Sequence, residues 1–381
     1  MQAKHSKPNR TVLRIFSTAT FLAMIASCSV SAFAGTYDLN NGDVYVDVRD
    51  NQHYVSQVTS VDQDGTKKYY TDESGTTHNG TVAETDNQVT ITSNGEKTTS
   101  TVEVKTEDEN QVANITLDDV NIHADDRWHE YEHGYCHDSN DYDDSVTNTR
   151  SAVSVRGAGT TNIELDGSNT LVGGTAGGAA IRFNDTDKLN KDDTELTKNG
   201  TLNINDNNKD GGTLDATSGW CAAIGGKVGK DSGDIVINGG DITVRTGADG
   251  NNSAAIGGGR VIRNKDGTVE GGNGTVTING GTINGKVVAG SVVANGGYAA
   301  LVHGDTLLSM SGGTVNDDLV GGGMVQDAAP LSGEKPDSNL IVTGNAGVMV
   351  AGGTAKGEIV GGNYVRGNGS ARVENSAVHI T

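Results

Sequence analysis

The sequence predicts an all-β protein, a right-handed parallel β-helix (a solenoid) in which short strands stack in successive coils. Three observations favour this fold class. Glycine is abundant, 55 of 381 residues, whereas aromatic residues make up only 4%. Similar units recur along the chain, and each unit carries two apolar residues at positions i and i+2. Many thin layers of small branched side chains explain this composition better than one thick core filled by aromatic rings.

The repeated units fall into two groups. One group closes on the motif AAIGG, as in CAAIGG from Cys221 and SAAIGGG from Ser253. The other has the form GGT-x-IVGG, with copies that begin at Gly280, Gly312 and Gly352. Successive units lie roughly 30 to 45 residues apart, which is the length of one coil that contains three short strands and their turns.

The first strand of each unit carries an apolar pair. These pairs are Ile115/Leu117, Ile163/Leu165, Leu202/Ile204, Ile235/Ile237, Val276/Ile278 and Leu340/Val342. Because side chains alternate across a strand, both members of a pair lie on one face, and the interleaved Thr, Asn and Glu residues face water. A β-sandwich is the alternative, and it predicts longer strands and a core with more aromatic residues.

The chain divides into four parts. Residues 1–34 are predicted to be a signal peptide, and residues 35–110, which are polar and lack the repeat unit, an N-terminal cap with the first strands of the stack. Residues 111–285 contain the AAIGG-type repeats, with a long loop insertion, and residues 286–381 contain the GGT-x-IVGG-type repeats. The last unit, SARVENSAVHIT, stops before its turn, so we expect the β-helix to be truncated at its C-terminus.

The N-terminal segment has the organisation of a secretory signal. Four basic residues within the first 14 precede an apolar stretch from Phe16 to Ile25, and Ala32 and Ala34 form the small-x-small cleavage signature. We therefore predict cleavage after Ala34 and export to the cell surface or the extracellular space. Lipidation at Cys28, within the sequence IASC, is the competing interpretation.

The charge of the predicted mature chain limits its partners. Residues 35–381 contain 24 basic and 49 acidic residues, a formal charge of -25. Nucleic acids and anionic lipids bind basic surfaces, so both are excluded as partners. After the signal peptide no apolar run reaches the ~20 residues of a membrane-spanning helix.

The repeats carry a resemblance to known proteins. Units such as ITLDDVNI, GGTLDATSGWCAAIGG and GDIVINGGDITVRTG resemble the glycine-rich repeats of large bacterial surface proteins. The later GGT…IVGG units are similar to the passenger regions of autotransporter adhesins, and the resemblance covers Val89 to Thr381. It implies a secreted β-helical protein held in the outer membrane through a C-terminal part that is missing here. Repeats of this kind describe a scaffold and do not identify a ligand.

One motif suggests an enzyme. The sequence HEYEH, His129 to His133, matches the H-E-x-x-H pattern of zinc proteases. Those enzymes hold both histidines on a stable helix and add a third ligand. Here the motif lies between NITLDDVNI and SAVSVRGAG, so residues 123–150 form an insertion between strands of one coil. We interpret HEYEH as a chance match and predict no catalytic residues.

The insertion is nevertheless the best candidate binding site. Its aromatic residues, which suit contact with a sugar or a protein, are Trp128, Tyr131, Tyr135 and Tyr142. Its candidate ligands for a transition metal are His129, His133, His137 and Cys136. A solvated polar loop is the alternative, and we expect no cofactor beyond an adventitious divalent metal.

The two cysteines outside the signal peptide, Cys136 and Cys221, leave two alternatives open. Outside the cytoplasm they can form a disulfide. They are 85 residues apart in the sequence, so the insertion would have to fold back along several coils for the bond to form. Two unpaired thiols are the other alternative.

These observations favour a non-enzymatic adhesin that binds an extracellular glycan or a surface protein of a host or another bacterium. A polysaccharide-active enzyme (a lyase or glycosidase) on the same fold is one alternative, and a purely structural stalk is the other. An enzyme should place several carboxylates and a basic residue in register on adjacent coils. An adhesin should show a continuous polar face with isolated aromatic loops.

Overall fold

The computed structural model describes residues 35–381 except 63–65, 85–86, 126–149, 176, 184–199, 220, 228, 247–252, 264–268, 295–298, 327–338 and 367–369. Within the described residues the backbone forms strands and turns, and its helical content is one 3-10 turn, Leu39–Asn41. The prediction of an all-β protein is confirmed. The predicted signal peptide lies outside the described residues.

The strands form four sheets. Sheet 1 contains, in hydrogen-bonding order, β1 (Gly35–Asp38), β6 (Val89–Thr92), β8 (Val112–Asp118), β11 (Thr160–Asp166), β14 (Thr201–Asn205), β17 (Gly233–Ile237), β22 (Gly274–Ile278), β27 (Thr306–Met310), β31 (Asn339–Val350), β26 (Ala299–Val302), β21 (Val269–Gly271) and β20 (Ile262–Arg263), with β35 (Ser370–Ile380) paired to β31. Sheet 2 contains β33 (Ile359–Val360), β29 (Leu319–Val320), β24 (Val287–Val288), β19 (Ile256–Gly257), β16 (Ile224–Gly225), β13 (Ile181–Phe183), β10 (Val153–Gly157), β7 (Val102–Thr106), β2 (Asp43–Arg49), β3 (Gln52–Val61) and β4 (Lys67–Tyr69), with β5 (Asn79–Ala83) paired to β3. Sheet 3 contains β32 (Thr354–Ala355), β28 (Thr314–Val315), β23 (Thr282–Asn284), β18 (Asp241–Thr246), β15 (Thr213–Ser218), β12 (Ser168–Val172) and β9 (Asn121–His123), and sheet 4 contains β25 (Val292–Ala294), β30 (Met324–Gln326) and β34 (Tyr364–Arg366).

The chain visits the sheets in a repeating order. It passes from β8 in sheet 1 to β9 in sheet 3 and β10 in sheet 2, and then returns to sheet 1 with β11. Strands from successive passes pair in parallel within each sheet, as β8, β11, β14 and β17 do in sheet 1. Long parallel sheets built from a repeating three-strand path are compatible with a parallel β-helix.

The core is built from the apolar pairs that the sequence indicated. All members of the six pairs are buried. Ile115 lies opposite Ile163, and Ile163 in turn lies opposite Ile204 rather than Leu202. Neighbouring pairs are therefore displaced by two residues in places. A displacement of two keeps every side chain on the same face, because the side-chain period of a strand is also two.

A second, smaller core appears in the C-terminal coils. Leu340 and Val342 do not join the main cluster but pack with Val293, Val302 and Val325. From β25 onward each coil adds a strand in sheet 4, and β26 pairs with the first part of β31, whereas β27 pairs with its last part. The predicted limits of the repeat regions at residues 110 and 285 stay predictions.

Asparagine side chains connect adjacent coils. One ladder on sheet 1 joins Asn114, Asn162 and Asn203 through amide hydrogen bonds of 2.9 and 2.7 Å. A second ladder follows the turn after sheet 1, where the amide of Asn238 donates to Asn205 over 2.8 Å. The amide of Asn162 thus donates to one coil and accepts from another, so a polar column reinforces the backbone ladder.

Residues 35–110 combine parallel and antiparallel pairing. β1 and β6 in sheet 1 and β2 and β7 in sheet 2 pair in parallel. By contrast, β3 pairs antiparallel with β2, and β4 and β5 pair antiparallel with β3. The β2–β3 hairpin turns at Asp50 and Asn51, whose φ angles are +52° and +58°. Asp and Asn tolerate this left-handed conformation, which two-residue hairpins require.

Candidate functional site

Most of the predicted site residues fall in one insertion outside the described residues. They are Trp128, His129, Tyr131, His133, Tyr135, Cys136, His137 and Tyr142. Their proposed roles in contact or metal binding stay predictions. In the described part of the chain no group of three or more His, Cys, Asp or Glu side chains is arranged to hold a metal ion.

The structure does describe both ends of this insertion. The chain leaves β9 with the nitrogen of Ala124 donating to the carbonyl of Val172 over 2.8 Å. It returns with the carbonyl of Arg150 accepting from the nitrogen of Gly174 over 2.9 Å. Val172 and Gly174 are two residues apart, about 7 Å in an extended chain. Ala124 and Arg150, which flank the 24-residue segment 126–149, are therefore held side by side against the next coil.

Ion pairs add to this closure. Arg150 Nη2 lies 2.7 Å from Asp43 Oδ2, and Arg150 Nη1 lies 3.7 Å from Asp125 Oδ1. The guanidinium also donates to Thr101 Oγ1 over 2.6 Å and to the carbonyl of Thr99 over 3.3 Å. The Arg150 side chain is only 11% exposed, so solvent screens these contacts less than at an open surface. Arg150 thus ties the insertion to strand β2.

His123 lies beside this stem, at the end of β9. Its backbone nitrogen donates to the carbonyl of Thr98 over 2.8 Å. Burial and, to a lesser degree, the charge of Lys97 lower the pKa of His123 below its ordinary value. A neutral imidazole at the stem is consistent with a structural position.

Cys221 lies in the core next to sheet 2. Its side chain is 1% exposed, and Sγ lies 2.8 Å from the carbonyl of Gly177. Burial raises the pKa of the Cys221 thiol to about 12. Its predicted disulfide partner Cys136 lies outside the described residues, so that pairing stays a prediction.

Carboxylates from adjacent coils meet where sheet 1 turns into sheet 3. Asp118 and Asp166 are register partners in β8 and β11. Burial raises the pKa of Glu164 and of Asp166, although Asn207 and Asn208 donate hydrogen bonds to these carboxylates. Within the described residues no lysine or arginine forms an ion pair with this group. In the part of the chain that the structure describes, the group therefore offers acids in register without a paired lysine or arginine.

A cleft near the N-terminal strands was not foreseen from the sequence. It has a volume of about 520 Å³ and lies between β1, β3 and the turn that joins β4 to β5. The ring of His78 stands edge-on to Tyr37, with centroids 5.3 Å apart, and stacks on Tyr70 at 6.0 Å. His78 Nε2 also lies 3.3 Å from Asp72 Oδ2. The only sequence signal was the mixture of Tyr and His in KYYTDESGTTH, which has the composition of a polar turn.

The cleft is electrostatically negative. The hydroxyl of Ser74 and the backbone nitrogen of Thr76 donate to Asp72 Oδ1 over 2.6 and 2.9 Å. These hydrogen bonds, that of Ser74 first, lower the pKa of Asp72 to about 2. The carboxylates of Asp38 and Glu84 line the same cleft. Such a lining favours a cationic or neutral polar group over an anion.

No helix among the described residues is long and apolar enough to cross a membrane. Comparison with the models of known protein families, with curated proteins and with solved structures finds no match for this chain.

Proposed function

We propose that this chain is an exported bacterial surface protein, built as a right-handed parallel β-helix, that binds extracellular glycans without chemical turnover. The helix serves as a rigid stalk of the autotransporter-passenger type. The insertion 126–149 carries recognition.

The closed stem of the insertion is the observation that carries this proposal. Hydrogen bonds to Val172 and Gly174 fix its two ends, and Arg150 pairs with Asp43 and Asp125. A loop whose ends are fixed loses less conformational entropy when it binds a partner. Stabilising contacts at the base of a long polar loop are typical of binding loops on rigid scaffolds.

The composition of the insertion supports glycan contact. Segment 126–149 contains one of the two tryptophans of the chain and three of its ten tyrosines. Aromatic rings pack against the apolar faces of sugars, and neighbouring carboxylates and amides accept or donate hydrogen bonds to hydroxyl groups. The second long segment, 184–199, contains no aromatic residue and provides a natural comparison.

The experiment is a printed glycan array probed with three proteins. They are the chain from residue 35 onward, a variant in which a short Gly/Ser segment replaces 126–149, and a control in which the same segment replaces 184–199. We expect glycan signals from the first and third proteins and their loss from the second. Unchanged signals after replacement of 126–149 would refute the role of this insertion.

The alternatives give different results. A polysaccharide-active enzyme would release reducing ends or unsaturated sugars from polysaccharides, and the carboxylates of Asp118, Glu164 and Asp166 would then be the first to substitute. A purely structural stalk would give neither product nor array signal. Binding to an immobilised surface protein but to no glycan would assign the insertion to protein recognition.

A further inference from the structure

The residue that follows the predicted cleavage site opens the first strand of the structure. β1 begins at Gly35 and pairs in parallel with β6, with Gly35 opposite Val89. Cleavage after Ala34 would therefore place the new N-terminus at the end of a strand already held in sheet 1. The inference below rests on the export step of the proposed function.

The Glu84 carboxylate and the Tyr37 ring lie close to Gly35. A Cβ atom on residue 35 would lie 2.5 Å from Glu84 Oε2 and 2.9 Å from Tyr37 Cε2. Both separations are shorter than real Cβ contacts, so a side chain at this position would displace the end of Glu84 or the Tyr37 ring. The same geometry brings the Gly35 nitrogen within about 5 Å of Glu84 Oε2, because nitrogen and Cβ are bonded to the same Cα.

The Glu84 carboxylate is held in this orientation. Its Oε1 accepts a hydrogen bond from the Tyr37 hydroxyl, and its backbone nitrogen donates to the carbonyl of His53 over 2.7 Å. Tyr37 is itself only 3% exposed, so the phenol is a fixed donor. One carboxylate oxygen is thus bound by Tyr37, and the other is directed at Gly35.

We propose that the Glu84 carboxylate is a docking site for the α-ammonium group that signal-peptide cleavage creates on Gly35. The peptidase adds one water across the Ala34–Gly35 bond: the Ala34 carbonyl carbon takes the hydroxide, and the carboxylic acid so formed releases its proton and leaves as a carboxylate. The Gly35 nitrogen takes this proton and the remaining proton of the water. An uncharged amide thereby becomes a cation opposite Glu84. The other carboxylates that line the cleft, Asp38 and Asp72, add negative charge.

The consequence is a coupling between maturation and folding. The precursor has an amide at this position and lacks the ion pair, whereas the exported chain gains it at the first strand of the stack. β1 is then fastened at its start by the ammonium–carboxylate pair and along its length by β6. We expect β1 to open less often in the mature chain than in a chain whose amine is blocked.

A double-mutant cycle tests this inference on the chain 35–381. Four proteins are compared: Gly35 with a free or an acetylated amine, each with Glu84 or with Glu84→Gln. Glutamine keeps the acceptor for Tyr37 but removes the charge. Acetylation should lower the hydrogen-exchange protection of the β1 amides about three- to tenfold with Glu84 present and leave it unchanged in Glu84→Gln. Equal losses in both backgrounds would overturn the inference.

A second measurement separates this inference from the export step. Mass spectrometry of the protein secreted by its cell identifies the first residue. A start at Gly35 with no coupling in the cycle refutes the ammonium site but leaves the proposed function intact. A start elsewhere, or a lipidated Cys28, refutes the predicted cleavage whatever the cycle gives.

If an acetylated form fails to fold, the hydrogen exchange of the β1 amides in the free-amine chain is measured at low and high salt instead. Protection should fall in 1 M salt, where the Debye length is about 3 Å. Unchanged protection would overturn the inference.

Discussion

Asn169 offers a sensitive test of the stacked coils, because its side chain joins strands from three of them. The residue is 1% exposed. Its Oδ1 accepts from the nitrogen of Val120 over 3.0 Å, and its Nδ2 donates to the carbonyls of Asp166 and Thr213 over 2.9 and 3.2 Å. Val120 precedes β9, Asp166 ends β11 and Thr213 begins β15, so the three partners come from successive passes of the chain.

Replacement of Asn169 by alanine removes all three hydrogen bonds. Each contributes about 1 kcal/mol net to stability, and a buried backbone N–H left without an acceptor costs about 1 to 3 kcal/mol more. Val120 is fully buried, so water cannot replace the lost acceptor. We therefore expect the free energy of unfolding to fall by about 4 to 6 kcal/mol in Asn169→Ala.

The assay is urea unfolding followed by circular dichroism, with Asn238→Ala as the control. Asn238 is exposed and belongs to a ladder in which its amide donates to Asn205 and accepts from Asn279. Water replaces part of these bonds, so its loss should cost only about 1 kcal/mol. An Asn169→Ala protein as stable as Asn238→Ala would refute the stacking of coils around Asn169.

Three further predictions concern backbone, pH and thiol chemistry. Gly257 has a φ of +123°, and a Cβ atom there would lie 1.9 Å from a backbone oxygen of β24. Gly257→Ala should therefore lower the free energy of unfolding in urea by more than about 3 kcal/mol, against about 1 kcal/mol for the control Gly95→Ala, where the space is open. Equal losses in the two variants would contradict the close approach at Gly257. Burial raises the pKa values of Glu164 and Asp166 above 4.5 and 3.8, so the folded state binds more protons there and their contribution to stability should fall as the pH rises through the raised pKa values. Urea unfolding at stepwise pH should show that the free energy of unfolding falls with pH, with a slope that Glu164→Gln reduces. An unchanged slope in this variant would contradict the raised pKa of Glu164. Because the pKa of the Cys221 thiol is about 12, this thiol should resist a thiol reagent at about pH 8 in the reduced protein until urea unfolds the chain. Rapid labelling of Cys221, detected by peptide mapping, would contradict its burial.

The interior of the fold was predictable from the sequence, since burial on one face of a strand leaves a period of two. Ile235/Ile237 and Val276/Ile278 follow this period, and each is buried in register with the next pair. The register was harder to foresee where connections vary in length. Ile163 pairs with Ile204 because backbone hydrogen bonds set the register, and these bonds do not depend on residue type.

The polar connections were not predictable. In the sequence DGSNT, Asn169 resembles an ordinary turn residue. Its hydrogen bonds to the neighbouring coils exist only in the folded stack. The cleft around His78 is lined by Tyr37 and Tyr70, which are 33 residues apart in the sequence. Antiparallel pairing brings them together, and no repeat in the sequence indicates that pairing. Contacts between distant polar residues depend on register, and one sequence does not define it.

Removal of the aromatic side chains from the insertion tests whether this insertion recognises glycans. The measurement is the dissociation constant for the glycan that gives the strongest array signal, in the intact chain and in a variant that carries Trp128→Ala, Tyr131→Ala, Tyr135→Ala and Tyr142→Ala. Aromatic anchors each contribute about 2 kcal/mol or more to such contacts, so we expect glycan binding to weaken at least tenfold while urea unfolding stays unchanged. Equal affinity in the two folded proteins would contradict it.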